Sequence, residues 1–557
     1  MSKFPFHKLK VKNSQKEIEP QEVLLDSLAK KREEELGISE KKLELPISQK
    51  IMQGFFLAFF IVVFIFLVRT FQLQILEGET FAQLSKENEF IIRSIKAERG
   101  VIYDSNFNQL VFNKPSFDFF CQDKIVSEKL DHQTLLFFET RIDDYPGCEI
   151  KNNTVREYIL GPVFSQLIGY KRKTEEKTGL EQYYDYILKA RDGQLQIKRD
   201  AKGNIISKEI VSLPEPGQSL VLWLNADLQK KLYQSLEQTI KGVGSRVGAA
   251  IALDPKTGGV LALVSYPSFD NNLFSQELSS DAWQSLNNNP DHPFFNRVIA
   301  GIGYPTGSVI KPLIGIAALE EGVIGPDTQI YSPLEICVQN PWYPEKQDCY
   351  ADWKYHGNSD LKRAIAESVN TFFYQVGGGY QNLKGLGASK IKKWLEIFGW
   401  GSTTGIDLPE EGKGILPDLE QDWRLGDTYH LSIGQGRFTV TPLQVAAAFV
   451  AVANGGKLFQ PQIAKEIIDS EKNLIKSPEP KLLKEILVSE ENLETVRQGM
   501  RQSVTFSESP AHILNSLPVA VASKTGTAQT GKEEIYHNWL PDWYEYRQRR
   551  LLVDCRC

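Results

Sequence analysis

Between Ile51 and Val68 the chain carries eighteen consecutive residues without a charge, dense in Phe, Ile, Val and Leu and closed by Arg69. As a helix this run rises roughly 27 Å, about one hydrocarbon core. It has no polar stripe, so a buried helix of a soluble domain is the poorer reading. A cleaved leader fits less well, because the charged segment ahead of it is long and no small-x-small site follows. Lys31, Arg32, Lys41, Lys42 and Lys50 precede the run, whereas Arg69 and Lys86 follow it. That bias predicts a cytoplasmic tail over 1–50, one transmembrane anchor over 51–70, and an exported, periplasmic remainder.

Residues 1–50 are polar, have no aromatic after Phe6, and show helical tendency only near 30–45, where Lys30-Lys31-Arg32 is cancelled by Glu33-Glu34-Glu35. The whole chain of 557 residues carries a net charge of -6 with 24% charged residues. Dispersed basic residues exclude a nucleic-acid surface, and the length predicts two to four domains.

Past the anchor, a helix should run from Phe71 to Lys86. Alternating residues at 89–95 and 98–104, with a turn at 106–109, then predict a mostly β domain over 71–243. Pro214–Gln218 reads as a linker and 219–224 as a strand. Asn225 can cap a helix ending near Gly242, with Leu228, Leu232, Leu236 and Ile240 as its apolar stripe. Two strands at 248–253 and 259–265 flank the turn Asp254–Gly258 and open an α/β domain over 244–539, an antiparallel sheet flanked by helices that the run Val519–Ala522 should rejoin. Cys121 and Cys148 fall in a small insert at about 114–157, either as a disulfide or as two free thiols.

Chemistry concentrates at Gly303–Pro312. Thr306 and Gly307 are cap-type residues ahead of the apolar run Leu313–Leu319, and Gly322 suits its stop, so a buried helix should begin at Ser308. Three residues apart, Ser308 and Lys311 share a face. A desolvated lysine amine can serve as the base that a serine hydroxyl needs to become a nucleophile. Downstream lie Ser368-Val369-Asn370 and Lys524-Thr525-Gly526-Thr527. This ordered trio, Ser-x-x-Lys, Ser-x-Asn and Lys-Thr-Gly, resembles the signature of penicillin-binding proteins and class A β-lactamases.

Further segments narrow the resemblance. Arg99–Asp104 with Leu110–Asn113, then Gly161–Tyr170 and Thr178–Tyr184, resemble the pedestal (dimerisation) domain of class B penicillin-binding proteins. Thr371–Gln375, Thr404–Glu410, Ile433–Gly436 and Thr441–Gln444 are similar to the elongation-type subgroup, penicillin-binding protein 2. The resemblance implies a peptidoglycan D,D-transpeptidase that acts in cell-wall elongation and shape maintenance and is a target of β-lactams. Its partners would be peptidoglycan stem peptides, a membrane glycosyltransferase and other elongation-complex proteins. By this likeness Ser308 is the nucleophile, Lys311 its base, Ser368 a proton relay and Asn370 a substrate and lysine contact. Lys524 and Thr525 would hold an anion, Gly526 would leave room for a substrate strand, and the N–H groups of Ser308 and Thr527 would form the oxyanion hole. The short insert departs from the larger head usual in the family.

No cofactor is needed for such chemistry. Cys337, Cys349, Asp352 and His356 could hold a structural zinc, as subgroup members do in this region, although Val369 cannot supply the further ligand often drawn from the second motif; a Cys337–Cys349 disulfide is the alternative. After Trp539 the resemblance breaks. Residues 540–557 lack period-two alternation, which predicts an anomalous tail from a truncated or frameshifted reading frame and a motif strand without its sheet neighbours. The competing functions are a non-catalytic scaffold of the elongation complex, and a β-lactamase or carboxypeptidase of the same superfamily.

Overall fold

The computed structural model describes residues 28, 30–32, 34–35, 48–80, 90–122, 124–172, 174–200, 205–275, 278–420, 422–529, 536–546 and 549–553. The chain divides into two compact units, one containing the apolar run and the other comprising Ile92–Ile197 and the residues from Ile205 onward. In the first unit, the Ser48 hydroxyl accepts from the Ile51 N–H and caps a helix that continues to Leu76. Of its 28 residues, the most apolar 18-residue stretch has a mean hydropathy of 2.8 and none of it is buried, and among the described residues it is the one helix long and apolar enough to cross a membrane. The helical tendency expected at 30–45 and the end of the helix expected to reach Lys86 lie largely outside the described residues.

In the second unit, Ile102–Tyr103 turns through Asp104 into the long strand Gln109–Cys121, and the Asp104 carboxylate accepts from the N–H groups of Asn106 and Asn108. That strand pairs along its length with Cys148–Tyr158, and the pair is closed at its far end by a Cys121–Cys148 disulfide. Ser219–Leu222 lies parallel to Ile102–Tyr103, and Ala464–Ile468, from far down the chain, pairs with its other side. A strand from the later part of the sequence thus completes the sheet of the earlier part.

Asn225 caps the helix Ala226–Gly242 through the Leu228 N–H, as its sequence predicts. Leu232, Leu236 and Ile240 pack on Ala250 and Ala252 of the strand Gly248–Leu253, whose alternate residues Ala249, Ile251 and Leu253 face the central core. With both faces covered, this sheet separates two apolar layers. Its strand order is 260–266, 248–253, 549–553, 542–546 and 520–523, antiparallel throughout.

The expectation of a motif strand without sheet neighbours is therefore corrected. Asp542–Tyr546 and Arg549–Val553 are strands inside the sheet, the strand that leads into Lys524 has its neighbour, and Trp543 is buried in the core. One partner of Arg549–Val553 is the strand Gly248–Leu253, far earlier in the chain, a pairing that a local periodicity test does not register.

Candidate active site

Ser308 lies in a tight 3-10 turn, Gly307–Ile310, that feeds into the helix Lys311–Glu320. The α-helix thus starts one turn later than its sequence predicts, and Thr306 provides no side-chain cap. What fixes the turn is close backbone packing. Gly307 has φ 54°, and a Cβ there would stand 2.5 Å from the Thr527 carbonyl oxygen. Its N–H donates to the Gly434 carbonyl at 2.9 Å. Ser308 remains partly exposed at the surface of this turn, whereas every helix residue from Lys311 to Leu319 is buried.

Lys311 is 0% exposed. Its Nζ donates to the Ser368 carbonyl and to Asn370 Oδ1, both at 2.7 Å, and lies 3.3 Å from Ser368 Oγ. The Phe373 ring centroid is 5.4 Å away. Burial drives the amine well below its ordinary value, the neighbouring Lys524 pushes the same way, and Asp352 opposes them only in part. Such a lysine is disposed to be neutral, and a neutral amine is a base.

Ser368 joins the helices Leu361–Ala366 and Asn370–Gly378 with φ 58°, a left-handed conformation that costs a non-glycine residue about 1–2 kcal/mol. The strain turns both its carbonyl and its hydroxyl toward Lys311. The same hydroxyl lies 3.0 Å from the Lys524 Nζ, so Ser368 bridges the two amines.

Lys524 follows the strand Ala520–Ser523 and is also 0% exposed. Its Nζ donates to the Thr525 carbonyl at 2.7 Å, and burial pushes its pKa down to about 7. Thr525 is partly exposed and Thr527 exposed beside it, on the strand Gly526–Gln529, with Thr527 Oγ1 3.3 Å from Asn538 Oδ1. Gly526 is required by packing within the fold. A Cβ there would meet the Thr306 carbonyl oxygen and Val309 Cγ2 at 2.7 Å, so the glycine lets this strand press against the Gly307–Ile310 turn. All three motifs meet: the first and third by backbone contact, the second through hydrogen bonds to both lysines.

The four residues expected to hold zinc do not fit that role. Cys337 and Cys349 face each other across a hairpin and form a disulfide, which removes both thiolates. Asp352 gives Oδ2 to the N–H and hydroxyl of Thr371, and His356 gives Nδ1 to Glu367 Oε2 at 2.9 Å. Only Asp352 Oδ1 and His356 Nε2 face one another, 3.6 Å apart, and Val369 has no donor atom, so a tetrahedral site falls short by two ligands. The correction is that Asp352 holds the start of the helix Asn370–Gly378 and His356 holds Glu367.

Sequence reasoning missed Glu367, Phe373 and the Gly434 carbonyl. Glu367 sits one residue before the second motif and is 7% exposed, yet nothing in a single sequence marks a carboxylate as buried. Gly434 belongs to a segment singled out by resemblance, and only the fold shows why: a Cβ there would stand 1.9 Å from the Gly307 carbonyl oxygen.

Residues 248–553 match the family model of the penicillin binding protein transpeptidase domain, and residues 121–222 that of the penicillin-binding protein dimerisation domain. Among known proteins, the chain is 29% identical to peptidoglycan D,D-transpeptidase MrdA of Escherichia coli strain K12, over 85% of this chain and 83% of that protein. It is 30% identical to the MrdA of Acinetobacter baumannii, over 71% of this chain and 66% of that one. Among solved structures, penicillin-binding protein PBP2 of Helicobacter pylori, in a complex with MreC, superposes with a TM-score of 0.71 at 27% identity, covering 84% of this chain and 95% of its own. PBP2 of Pseudomonas aeruginosa in complex with WCK 5153 gives 0.64 at 27% identity, covering 84% and 92%.

Proposed function

The chain belongs to the penicillin-binding protein transpeptidase family, and from that premise we propose that it is an elongation-type peptidoglycan D,D-transpeptidase working through an ester on Ser308. The observation that carries this reading is the pair of fully buried lysine amines, each hydrogen-bonded to Ser368 and to neutral oxygens only.

The neutral Lys311 amine takes the Ser308 proton as Oγ attacks the carbonyl carbon of the penultimate D-alanine of a stem peptide. Backbone N–H groups of Ser308 and Thr527 receive the developing oxyanion. As the C–N bond breaks, the proton held on Lys311 passes through the Ser368 hydroxyl to the departing amine, and terminal D-alanine leaves. An amine of a second stem then attacks the Ser308 ester and gives its proton to Lys311, and Ser308 leaves with that proton restored. One amide replaces another, so side chains account for every proton and electron pair without a cofactor. A charged Lys524, aided by Thr525, pairs with the carboxylate of the substrate or the anion of a β-lactam.

The helix Gln49–Leu76 serves as a single-pass anchor, with the basic tail in the cytoplasm and the transpeptidase outside, where nascent strands are made. Glycosyltransferase and elongation-complex proteins are its expected partners. The test is intact-mass analysis after incubation with excess benzylpenicillin. The native chain should gain the mass of the whole antibiotic, since opening the lactam expels nothing, and Ser308→Ala should gain none. A folded native chain without adduct sinks the reading. Incubation with a stem-peptide donor and an amine acceptor separates the cross-linked product of a transpeptidase from the hydrolysed product of a carboxypeptidase.

A further inference from the structure

The Ser368 turn is strained and exposes two oxygens to Lys311, so something has to hold it. Its two ends are fixed by different carboxylates. On the N-terminal side Glu367 receives Arg363 Nε at 2.6 Å and His356 at 2.9 Å, and its carbonyl accepts from the Trp353 indole at 3.3 Å. On the C-terminal side Asp352 accepts from the Thr371 N–H at 2.8 Å and its hydroxyl at 2.9 Å. His356 lies between them, 4% exposed, with Nδ1 on Glu367 and Nε2 facing Asp352 Oδ1 at 3.6 Å, too far for a hydrogen bond and without any other partner among the described residues.

We propose that His356 is the positioning residue of the second motif, a clamp between Glu367 and Asp352 that holds Ser368 over Lys311 in the place where a structural metal was expected. It rests on the acyl-enzyme reading of Ser308. Both carboxylates are nine-tenths buried, and each reaches one side of a three-residue turn whose middle member, Val369, is wholly buried and offers no polar hold. One imidazole, hydrogen-bonded to Glu367 and packed against Asp352 at 3.6 Å, spaces the two sides apart. A shift of Ser368 by a fraction of an ångström would displace the Lys311 hydrogen bonds and the relay while leaving the anion-binding strand in place.

The experiment uses the full chain in detergent, with graded benzylpenicillin and intact-mass readout, so that the limiting acylation rate and the half-saturating concentration are obtained separately. For His356→Ala the limiting rate should fall about 10- to 100-fold, with the half-saturating concentration within about twofold. His356→Gln, which keeps a donor for Glu367, should recover most of the rate. If His356→Ala does not fold, Glu367→Gln takes its place with the same expectation. Wild-type rates in whichever of these folds, or a rise in half-saturating concentration at unchanged limiting rate, overturn the clamp. So does one zinc per native chain whose removal by a chelator slows acylation. Failure of the native chain to acylate at all strikes the nucleophile assignment instead.

Discussion

Two regions of this molecule bury cations, and they do so in opposite ways. In the pedestal, Glu181 is 0% exposed and receives Arg156 Nε and Arg99 Nε, each at 2.7 Å, while Arg99 Nη1 reaches Asp185 at 2.6 Å. Burial would lower the Arg99 pKa and raise that of Glu181, but their mutual attraction wins, so Arg99 is raised, Glu181 is lowered and the charges stay. In the active site, Lys311 and Lys524 are just as buried and bond only to carbonyl, hydroxyl and amide oxygens. Burial lowers both. A buried cation facing a carboxylate becomes architecture, whereas one facing neutral oxygens becomes a group that can give up its proton.

Moving a carboxylate from one pattern to the other is the most direct way to break the comparison. Asn370→Asp would set an anion where Asn370 Oδ1 now accepts from Lys311 at 2.7 Å. The amine would then keep its proton, and acylation by benzylpenicillin should slow by about 10²- to 10⁴-fold, the usual worth of a general base. Thermal unfolding should change little, since an ion pair replaces a hydrogen bond of the same geometry. An unchanged acylation rate would mean that Lys311 is not the base.

The converse change strikes stability and not rate. Glu181→Ala leaves two arginines buried without their shared anion, and removing one partner of such a cluster costs about 3–5 kcal/mol. Urea unfolding should show that loss, while the fraction still folded acylates at the native rate. A slowed rate with unchanged unfolding would tie the pedestal cluster to the chemistry and dissolve the contrast.

How much of this was legible beforehand follows from the kind of signal each feature leaves. The apolar run, the capped helix from Asn225 and the hairpin around Asp254–Gly258 announce themselves by local pattern, and the structure has them where the pattern says. The three motifs are short and ordered, so the site residues could be named, but their union depends on contacts between residues far apart in the chain. Arg99 and Glu181 were singled out only by likeness to a family, and their physical reason appears once they touch. The strands Ala464–Ile468, which joins the pedestal sheet, and Arg549–Val553 were not legible, because a partner strand of each lies hundreds of residues earlier in the chain, and Asp542–Tyr546 has no period-two alternation to mark it. The cysteine pair left two readings open, since a thiol in sequence does not say whether its neighbour is a metal or another sulfur.

Lys524 gives a sharper test, because burial moves two observables in opposite directions. Its pKa falls from 10.5 to about 7 on folding. Between those values the unfolded chain holds more protons at this site than the folded one, so this lysine's contribution to stability rises with pH over that window. Its grip on an anion does the reverse and fades as pH rises through about 7. Acylation by an anionic β-lactam at subsaturating concentration should therefore decline above that pH, by up to about tenfold per unit once the amine is neutral. In Lys524→Arg the charge persists and the decline should vanish. A decline equally steep in both proteins would assign it to another group.

The smallest effect asks whether the carboxylate partner or the burial makes the pedestal pattern. Lys96 meets Asp192 at 2.7 Å, as close as the buried Arg156–Glu181 pair, but the lysine side chain is 70% exposed. In water-rich surroundings the attraction is screened and the ordering of a long side chain offsets most of it, so exposed pairs contribute about 0–1 kcal/mol. Asp192 also keeps the Ser94 hydroxyl and the Ala97 N–H as donors after the lysine is gone. Lys96→Met should then leave unfolding within about 0.5 kcal/mol of native in moderate salt. A loss comparable to that of Glu181→Ala would mean that proximity to a carboxylate suffices by itself. The opposed fates of Arg99 and Lys311 would then owe nothing to their removal from water, and the depressed lysines of the active site would need another cause.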